Sequence, residues 1–271
     1  MRFISLASSS KGNAALISYK NTNILVDCGI SKKRIVETLG RYGLTLDDIN
    51  YILITHEHSD HIAGLPAILK EHDIKIISQR ETLSYILKYC EEKNVKVNVE
   101  SFKIISPVNI LNDNSMFELS DIKFYPLKGH HDVASLYYKF ILGDTVIAIL
   151  TDIGAYNEYN VRTLEDVDYL MLESNYDEEM LIGNHYPAWL KSRIMGEGGH
   201  LSNRDCANLI MKLAGKNVKE IYLSHISEDS NSEENAINFV NQYLNDNARE
   251  CTKLPIIKVA RRLEVTEIIN N

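Results

Sequence analysis

The sequence has no apolar run of the roughly eighteen residues that a membrane-spanning helix requires. Its opening, Met1-Arg-Phe-Ile-Ser-Leu-Ala-Ser-Ser-Ser10, holds an apolar stretch too short for the core of an export signal. The four cysteines, Cys28, Cys90, Cys206 and Cys251, stand far apart with no CxxC pair, which argues against a disulfide framework or a thiolate zinc site. These absences lead to the expectation of a reduced, cytoplasmic protein with no membrane association. Basic charge is also scarce. Against 37 Asp+Glu there are 29 Lys+Arg, a formal net charge of −8, which excludes a generally basic nucleic-acid-binding surface. Only local basic tracks remain: Lys32-Lys33-Arg34, Lys191 with Arg193, and Arg261-Arg262. No linker, repeat or low-complexity segment interrupts the 271 residues, so one domain spanning 1–271 is expected.

What is present is concentrated in one stretch, Tyr51-Ile-Leu-Ile-Thr-His-Glu-His-Ser-Asp-His61. The apolar run 51–55 reads as a buried strand. Directly after it come four side chains able to hold a metal: His56, His58, Asp60 and His61. In an extended or turning segment residues i and i+2 point the same way, so His56 and His58 can converge on one ion. Asp60 and His61 lie one turn further on and can hold a second. The chain has nine histidines, and three of them fall within these six positions; solvated loop residues rarely cluster so.

Along the chain, Arg2 to Leu6 reads as a strand and Ser8-Ser-Ser-Lys-Gly-Asn13 as a small hydroxyl-rich loop. That loop is either a tight turn or a rim offering hydroxyls and N–H groups to an anionic substrate. A hairpin (14–19 and 23–26) ends at Asp27-Cys-Gly29, and Ser31 caps a helix to Tyr42. A helix begins at Ile62; a strand at 75–77 and a helix at 80–90 follow. The region from Val95 to Leu119 reads as several strands with loose turns at Pro107 and Asn112-Asp113-Asn114. Strands are expected at 122–127, 135–142, 145–150, 169–172, 220–223, 256–259 and 263–268. Gly183 to Gly199, with the only tryptophan, Trp189, reads as loop. Helices are expected at 204–213, capped by Ser202 or Asn203, and at 233–244. Five of these strands, 51–55, 122–127, 145–150, 169–172 and 220–223, each run into polar residues suited to metal or catalysis. Scattered core histidines would not fall so regularly.

His56-x-His58-x-Asp60-His61 resembles the signature of the metallo-β-lactamase superfamily of dinuclear metallohydrolases. The resemblance implies an α/β fold, a four-layer αββα sandwich with metals at one edge between the sheets. Leu6-Ala-Ser-Ser-Ser-Lys-Gly-Asn13, Leu172-Glu-Ser-Asn175 and Gly199-His-Leu-Ser-Asn203 are similar to the YycJ/WalJ-like group, itself related to ribonuclease Z and phosphonate-pathway phosphodiesterases. The match covers about Phe3 to Ser227. It departs at Ser9 and Lys11, and in the doubled His130-His131.

Carried over residue by residue, the resemblance implies that His56, His58 and His131 bind a first ion and Asp60, His61 and His225 a second, with Asp152 bridging. His131 rather than His130 fits the register of His-Asp before an apolar-aromatic strand. It implies catalytic roles for Asp60 and His200, the latter at the leaving-group side. It also implies substrate contacts from Ser9, Ser10, Asn13, Ser202 and Asn203. Glu57, Asp132 and Glu173 are candidates to orient the imidazoles. Two divalent cations, zinc, manganese or iron, held about 3.5–4 Å apart would activate water as hydroxide and stabilise the charge that develops on the attacked ester. The function expected is a phosphodiesterase, most specifically a nuclease acting on DNA or RNA. The alternative is a small-molecule hydrolase of the same fold: a thioesterase, a lactonase or a cyclic phosphodiesterase.

Overall fold

The computed structural model describes residues 1–108, 115–250 and 252–271. The turn expected at Asn112-Asp113-Asn114, and Cys251, lie outside the described residues; Cys28, Cys90 and Cys206 are free thiols.

Two seven-stranded sheets face each other. The first holds β1 (Arg2–Ser9), β2 (Gly12–Tyr19), β3 (Thr22–Val26), β4 (Tyr51–Leu53), β5 (Lys75–Ser78) and β6 (Phe102–Ile104) in that spatial order. The second holds, likewise in order, β7 (Phe117–Leu119), β8 (Ile122–Lys128), β9 (Leu136–Leu142), β10 (Thr145–Leu150), β11 (Tyr169–Glu173), β12 (Glu220–Ser224) and β13 (Ile256–Val259). The last strand, β14 (Thr266–Asn270), returns to the first sheet antiparallel to β1. Each sheet begins as an antiparallel meander and turns parallel at β3 and at β10. A parallel step needs a crossover, and helices supply them. Lys32–Arg41, Leu65–Leu69 and Arg80–Glu92 serve the first sheet, and Glu158–Leu164, Asn203–Leu213 and Glu233–Asn247 the second.

Alternation along the strands builds the layers, because successive side chains leave opposite faces. In β3, Ile24 and Val26 enter the core between the sheets while Leu25 faces the helices. In β10, Ile147 and Ile149 point to the shared core and Ala148 and Leu150 to the other helix layer. β11 and β12 divide the same way, with Met171 and Tyr222 inside and Leu170, Leu172, Ile221 and Leu223 outside. Strands buried on both faces read as continuous apolar runs, which is why they were legible in the sequence. The result is the helix–sheet–sheet–helix sandwich.

Several expectations change in detail. The strand before the histidine motif is shorter, Tyr51–Leu53. The helix expected from Ile62 is split into Ser59–Ile62 and Leu65–Leu69. The break is at Gly64, where a Cβ would stand 2.1 Å from the Ile30 carbonyl oxygen, so the chain crosses too closely for any side chain. The Ser8–Asn13 loop is a hairpin turn: Ser8 pairs with Asn13 and Ser9 with Gly12 across β1 and β2. Gly183 to Gly199 is not all loop, since it contains the helix Ala188–Met195. That helix buries none of its residues, so it carries no apolar periodicity to read. Ser31 and Ser202 cap their helices, accepting from Arg34 N and Asp205 N. Among the described residues no helix is long and apolar enough to cross a membrane.

Candidate metal centre

The functional side chains leave the carboxyl ends of the strands at one edge of the sandwich. β3 delivers Asp27, β4 the segment 56–61, β8 His130 and His131, β10 Asp152, β11 Glu173, and β12 His225. Asp27, Asp152 and His225 have left-handed backbones, with φ of 61°, 57° and 51°. Non-glycine residues take that conformation at a cost, and it persists where the surroundings over-determine it. At all three positions the reversal turns the side chain back into the cleft between the sheets.

Three donor groups result among the described residues. His56, His58 and His131 form the first; Asp60, His61, Asp152 and His225 form the second; Asp152, Glu173, His200 and His225 form a third that overlaps the second. In the first, His58 Nδ1 stands 3.1 Å from His56 Nε2 and 3.2 Å from His131 Nε2. In the second, His225 Nε2 lies 3.2 Å from Asp60 Oδ2, and His61 Nε2 lies 2.9 Å from Asp152 Oδ2. Asp152 also links the clusters, with Oδ1 3.8 Å from His131 Nε2.

The outward nitrogens are fixed by acceptors. His61 Nδ1 donates to Asp27 Oδ2 at 2.8 Å, and His225 Nδ1 to Glu173 Oε1 at 2.9 Å. His131 Nδ1 donates to the Gly199 carbonyl at 3.0 Å. Thr55 Oγ1 gives its proton to Asp27, so it can accept from His56 Nδ1 at 3.0 Å. His58 Nε2 faces Asp132 Oδ1 at 3.4 Å. Each ring is thereby held in the tautomer that aims a lone pair inward. Three lone pairs converging near 3.1 Å repel one another unless a cation lies among them. Asp152 Oδ2 is buried and its near neighbour is His61 Nε2, at 2.9 Å; with His61 neutral and its Nδ1 proton on Asp27, both atoms are acceptors, a state that costs free energy unless an ion completes it. The donor set therefore fits divalent cations.

Charge agrees. Asp27, Asp60, Asp152 and Glu173 gather in a largely buried volume. Burial opposes the charge on Asp152, but His225, His61 and His56 hold its carboxyl well below the usual range. Burial alone would depress His61 and His225. The surrounding carboxylates outweigh it, Asp152 foremost, raising His61 well above its ordinary value and His225 to about 10. Burial dominates at His56, which is lowered.

A pH dependence follows for chelated protein. A group raised in the folded state adds stability that is complete below its unfolded value, 6.5 for histidine, and lost as pH climbs through the folded value. His56, depressed, acts only below that window. Metal-free protein should therefore lose thermal stability between pH 6.5 and 10. Cations need neutral imidazoles, so their binding should strengthen over the same range. Melting curves with and without metal should show a gap that widens with pH; a constant gap would contradict the assignment.

Other expected residues fall as follows. His130 points away, its Nε2 3.5 Å from Asn157 Nδ2. His200 is held firmly, Nδ1 donating to Glu173 Oε1 at 2.7 Å and its backbone N–H to the Ile194 carbonyl at 2.9 Å. Burial opposes its charge, but Glu173 raises its pKa above the ordinary value. Glu173 meets the outer Nδ1 atoms of His200 and His225, so it orients rings. Of the substrate candidates only Ser10 lines the open cleft beside the site. Ser9, Asn13, Ser202 and Asn203 are buried. Ser9 Oγ accepts from Lys11 N, and Asn13 Nδ2 reaches Asp60 Oδ2 at 3.2 Å. Ser202 caps its helix, and Asn203 Oδ1 accepts from Ser174 Oγ. These four shape the site from within. Glu57 accepts from the buried Thr82 at 2.9 Å and, among the described residues, bonds to no imidazole.

Asp27, Thr55 and Asn175 were not singled out in the sequence. Asn175 Nδ2 donates to the His225 carbonyl at 2.8 Å. Asp27 carried a usable signal: like Asp152 it is an acid just after an apolar strand. The basic tracks do not form a continuous path. Lys32 pairs with Glu71, Arg34 donates to the Leu6 and Leu263 carbonyls, Lys191 to those of Ile182 and Asn184, and Arg261 to Glu233. The cleft, about 280 Å³, brings Lys11, paired with Glu228, and Arg193, paired with Asp132, beside His200 together with Tyr186.

Comparison with known proteins agrees with this architecture. The model of the metallo-beta-lactamase superfamily matches residues 10–225. The exodeoxyribonuclease WalJ of Streptococcus pneumoniae serotype 2 is 33% identical over 239 residues, 88% of this chain and 86% of the relative. The exodeoxyribonuclease YycJ of Bacillus anthracis is 30% identical over 247 residues, 91% and 90% respectively. Among solved structures, the metallo-beta-lactamase fold protein YhfI of Bacillus subtilis superposes with a TM-score of 0.69 at 14% identity, over 98% of this chain and 100% of that one. At that identity the likeness is one of fold.

Proposed function

The chain belongs to the metallo-beta-lactamase superfamily of metal-dependent hydrolases, and from that premise we propose that it is an exonuclease hydrolysing DNA phosphodiesters with two divalent ions. His56, His58 and His131 would hold one ion and Asp60, His61 and His225 the other, with Asp152 placed to serve both. The observation that carries this reading is the pair of donor clusters meeting at Asp152, its buried Oδ2 2.9 Å from His61 Nε2 and its Oδ1 3.8 Å from His131 Nε2. Imidazole and carboxylate donors suit zinc, manganese or iron. Two such ions supply an activated water and stabilise charge on the attacked phosphate.

The chain's own residues supply the rest. Asp60, held through Asn13 and His225, orients the nucleophile's side of the site. His200, whose Nδ1 donates to Glu173 and whose pKa Glu173 raises against the effect of burial, stands at the cleft as the group to protonate the departing sugar oxygen. Lys11 and Arg193 are the cleft cations that a phosphate would meet.

The test is hydrolysis of end-labelled single- and double-stranded DNA and RNA beside bis-p-nitrophenyl phosphate and a thioester. Stepwise loss of DNA from one end is expected. Rapid thioester cleavage with intact nucleic acid would give the site to a small-molecule hydrolase instead. Elemental analysis should find about two divalent ions per chain.

The adjacent histidines give a sharper check. His131→Ala should lose metal and activity, while His130→Ala should keep both. The reverse result would move the ligand register by one residue.

A further inference from the structure

We propose that Trp189 is a stacking platform for a base of single-stranded DNA, set one helical turn from Arg193 so that base and phosphate are held together beside the catalytic cleft. The proposal rests on the nuclease reading and extends it to how the strand is gripped.

Trp189 is the only tryptophan of the chain and is 68% exposed. An indole this exposed on a helix that buries nothing has no structural task there. Its helix, Ala188–Met195, is nevertheless part of the cleft wall, since Leu190, Arg193 and Ile194 line the cleft with His200. Positions four apart share a helix face, with Cβ atoms about 5–6 Å from each other, so Trp189 stands next to Arg193. Arg193 Nε donates to Asp132 Oδ2 at 2.7 Å, and Asp132 Oδ1 faces His58 Nε2 at 3.4 Å. Trp189, Arg193, Asp132 and His58 thus run from solvent to the donor cluster.

The platform is rigid where it must be. Lys191 Nζ donates to the Ile182 carbonyl at 2.6 Å and the Asn184 carbonyl at 2.8 Å, tying the helix to the segment before it. At the other end a Cβ on Gly199 would stand 2.1 Å from the Ile194 carbonyl oxygen, so the chain turns tightly from this helix into His200. The helix and His200 are therefore one mechanical unit.

The chemistry favours a nucleic-acid single strand. The protein is acidic and its basic tracks, Arg193 included through its pair with Asp132, are engaged, so a long-range electrostatic grip is unavailable. Base stacking on an aromatic face tolerates any sequence and needs no basic surface. A guanidinium one turn away supplies the phosphate contact.

The indole is also the reporter. Protein as purified should be titrated with a phosphorothioate-linked oligothymidylate that resists hydrolysis. Saturable quenching of tryptophan fluorescence is expected. By anisotropy of a labelled oligonucleotide, Trp189→Ala should bind about 5- to 100-fold more weakly, the size of one lost stack. Trp189→Phe should recover most of the affinity. An abasic oligonucleotide of equal length, which keeps the phosphates, should separate the wild type from Trp189→Ala by no more than about twofold. Equal oligothymidylate affinities, or absence of quenching, would overturn the proposal. So would a Trp189→Ala variant that changes only sedimentation, which would make the patch a contact between copies of the chain. If the wild type itself degrades no nucleic acid, the nuclease reading has failed; if it does and Trp189→Ala grips the strand equally well, only the stacking role has.

Discussion

Asp152→Asn should be the most damaging single substitution, lowering hydrolysis of any phosphodiester by at least about 10³-fold, the several kcal/mol that paired metal ions contribute. Asparagine is the right replacement because Asp152 has φ 57°, a conformation asparagine accepts readily. Alanine would mix backbone strain with loss of the carboxylate. The amide keeps the shape but removes the negative charge that faces His61 and His225. It also puts an N–H₂ where Oδ2 meets His61 or where Oδ1 meets His225. Both donor clusters should weaken, since the carboxylate is common to them and offsets the repulsion between two cations. Elemental analysis after mild dialysis should show less than half the wild-type metal, with the fold intact by circular dichroism. Full metal content and activity would mean that Asp152 does not bridge.

His200→Ala should separate substrates by their leaving groups. Turnover on DNA should fall roughly 10²–10⁴-fold, the usual size of general-acid assistance, because a sugar alkoxide departs poorly without a proton. Bis-p-nitrophenyl phosphate, whose leaving group is stable unprotonated, should lose much less. Metal content should persist: His225 keeps its own hydrogen bond to Glu173 at 2.9 Å when His200 is gone. Equal losses on both substrates would assign His200 to binding or support, and metal loss would make it part of the metal framework. Glu173→Gln provides the companion measurement. It removes the charge that raises His200, so the alkaline limb of the DNA rate profile should move to lower pH.

The chain itself determined the parts that depend on local rules. Buried strands alternate between two apolar layers, so their runs were visible at 122–127, 145–150, 169–172 and 220–223. The histidine motif was visible because neighbours in sequence are also neighbours at the donor cluster. The helix cap at Ser31 was visible, and the later cap was narrowed to Ser202 or Asn203, because a cap is settled within one turn; the structure selects Ser202.

Tertiary structure decided what joins distant segments. Asp27 is 34 residues from the ring it orients, and Glu173 is 52 from His225; only strand order brings them together. The resemblance implied substrate contacts from Asn13, Ser202 and Asn203. Their side chains are buried in the structure, Asn13 on Asp60, Ser202 capping its helix at Asp205 N and Asn203 on Ser174. The helix Ala188–Met195 was invisible because it buries nothing, and its role beside the cleft comes from where Arg193 and Gly199 tie it. Sequence alone specified which donors exist and on which strand ends they sit. The closing of two sheets, which sets their distances and the proton on each imidazole, specified what they can do.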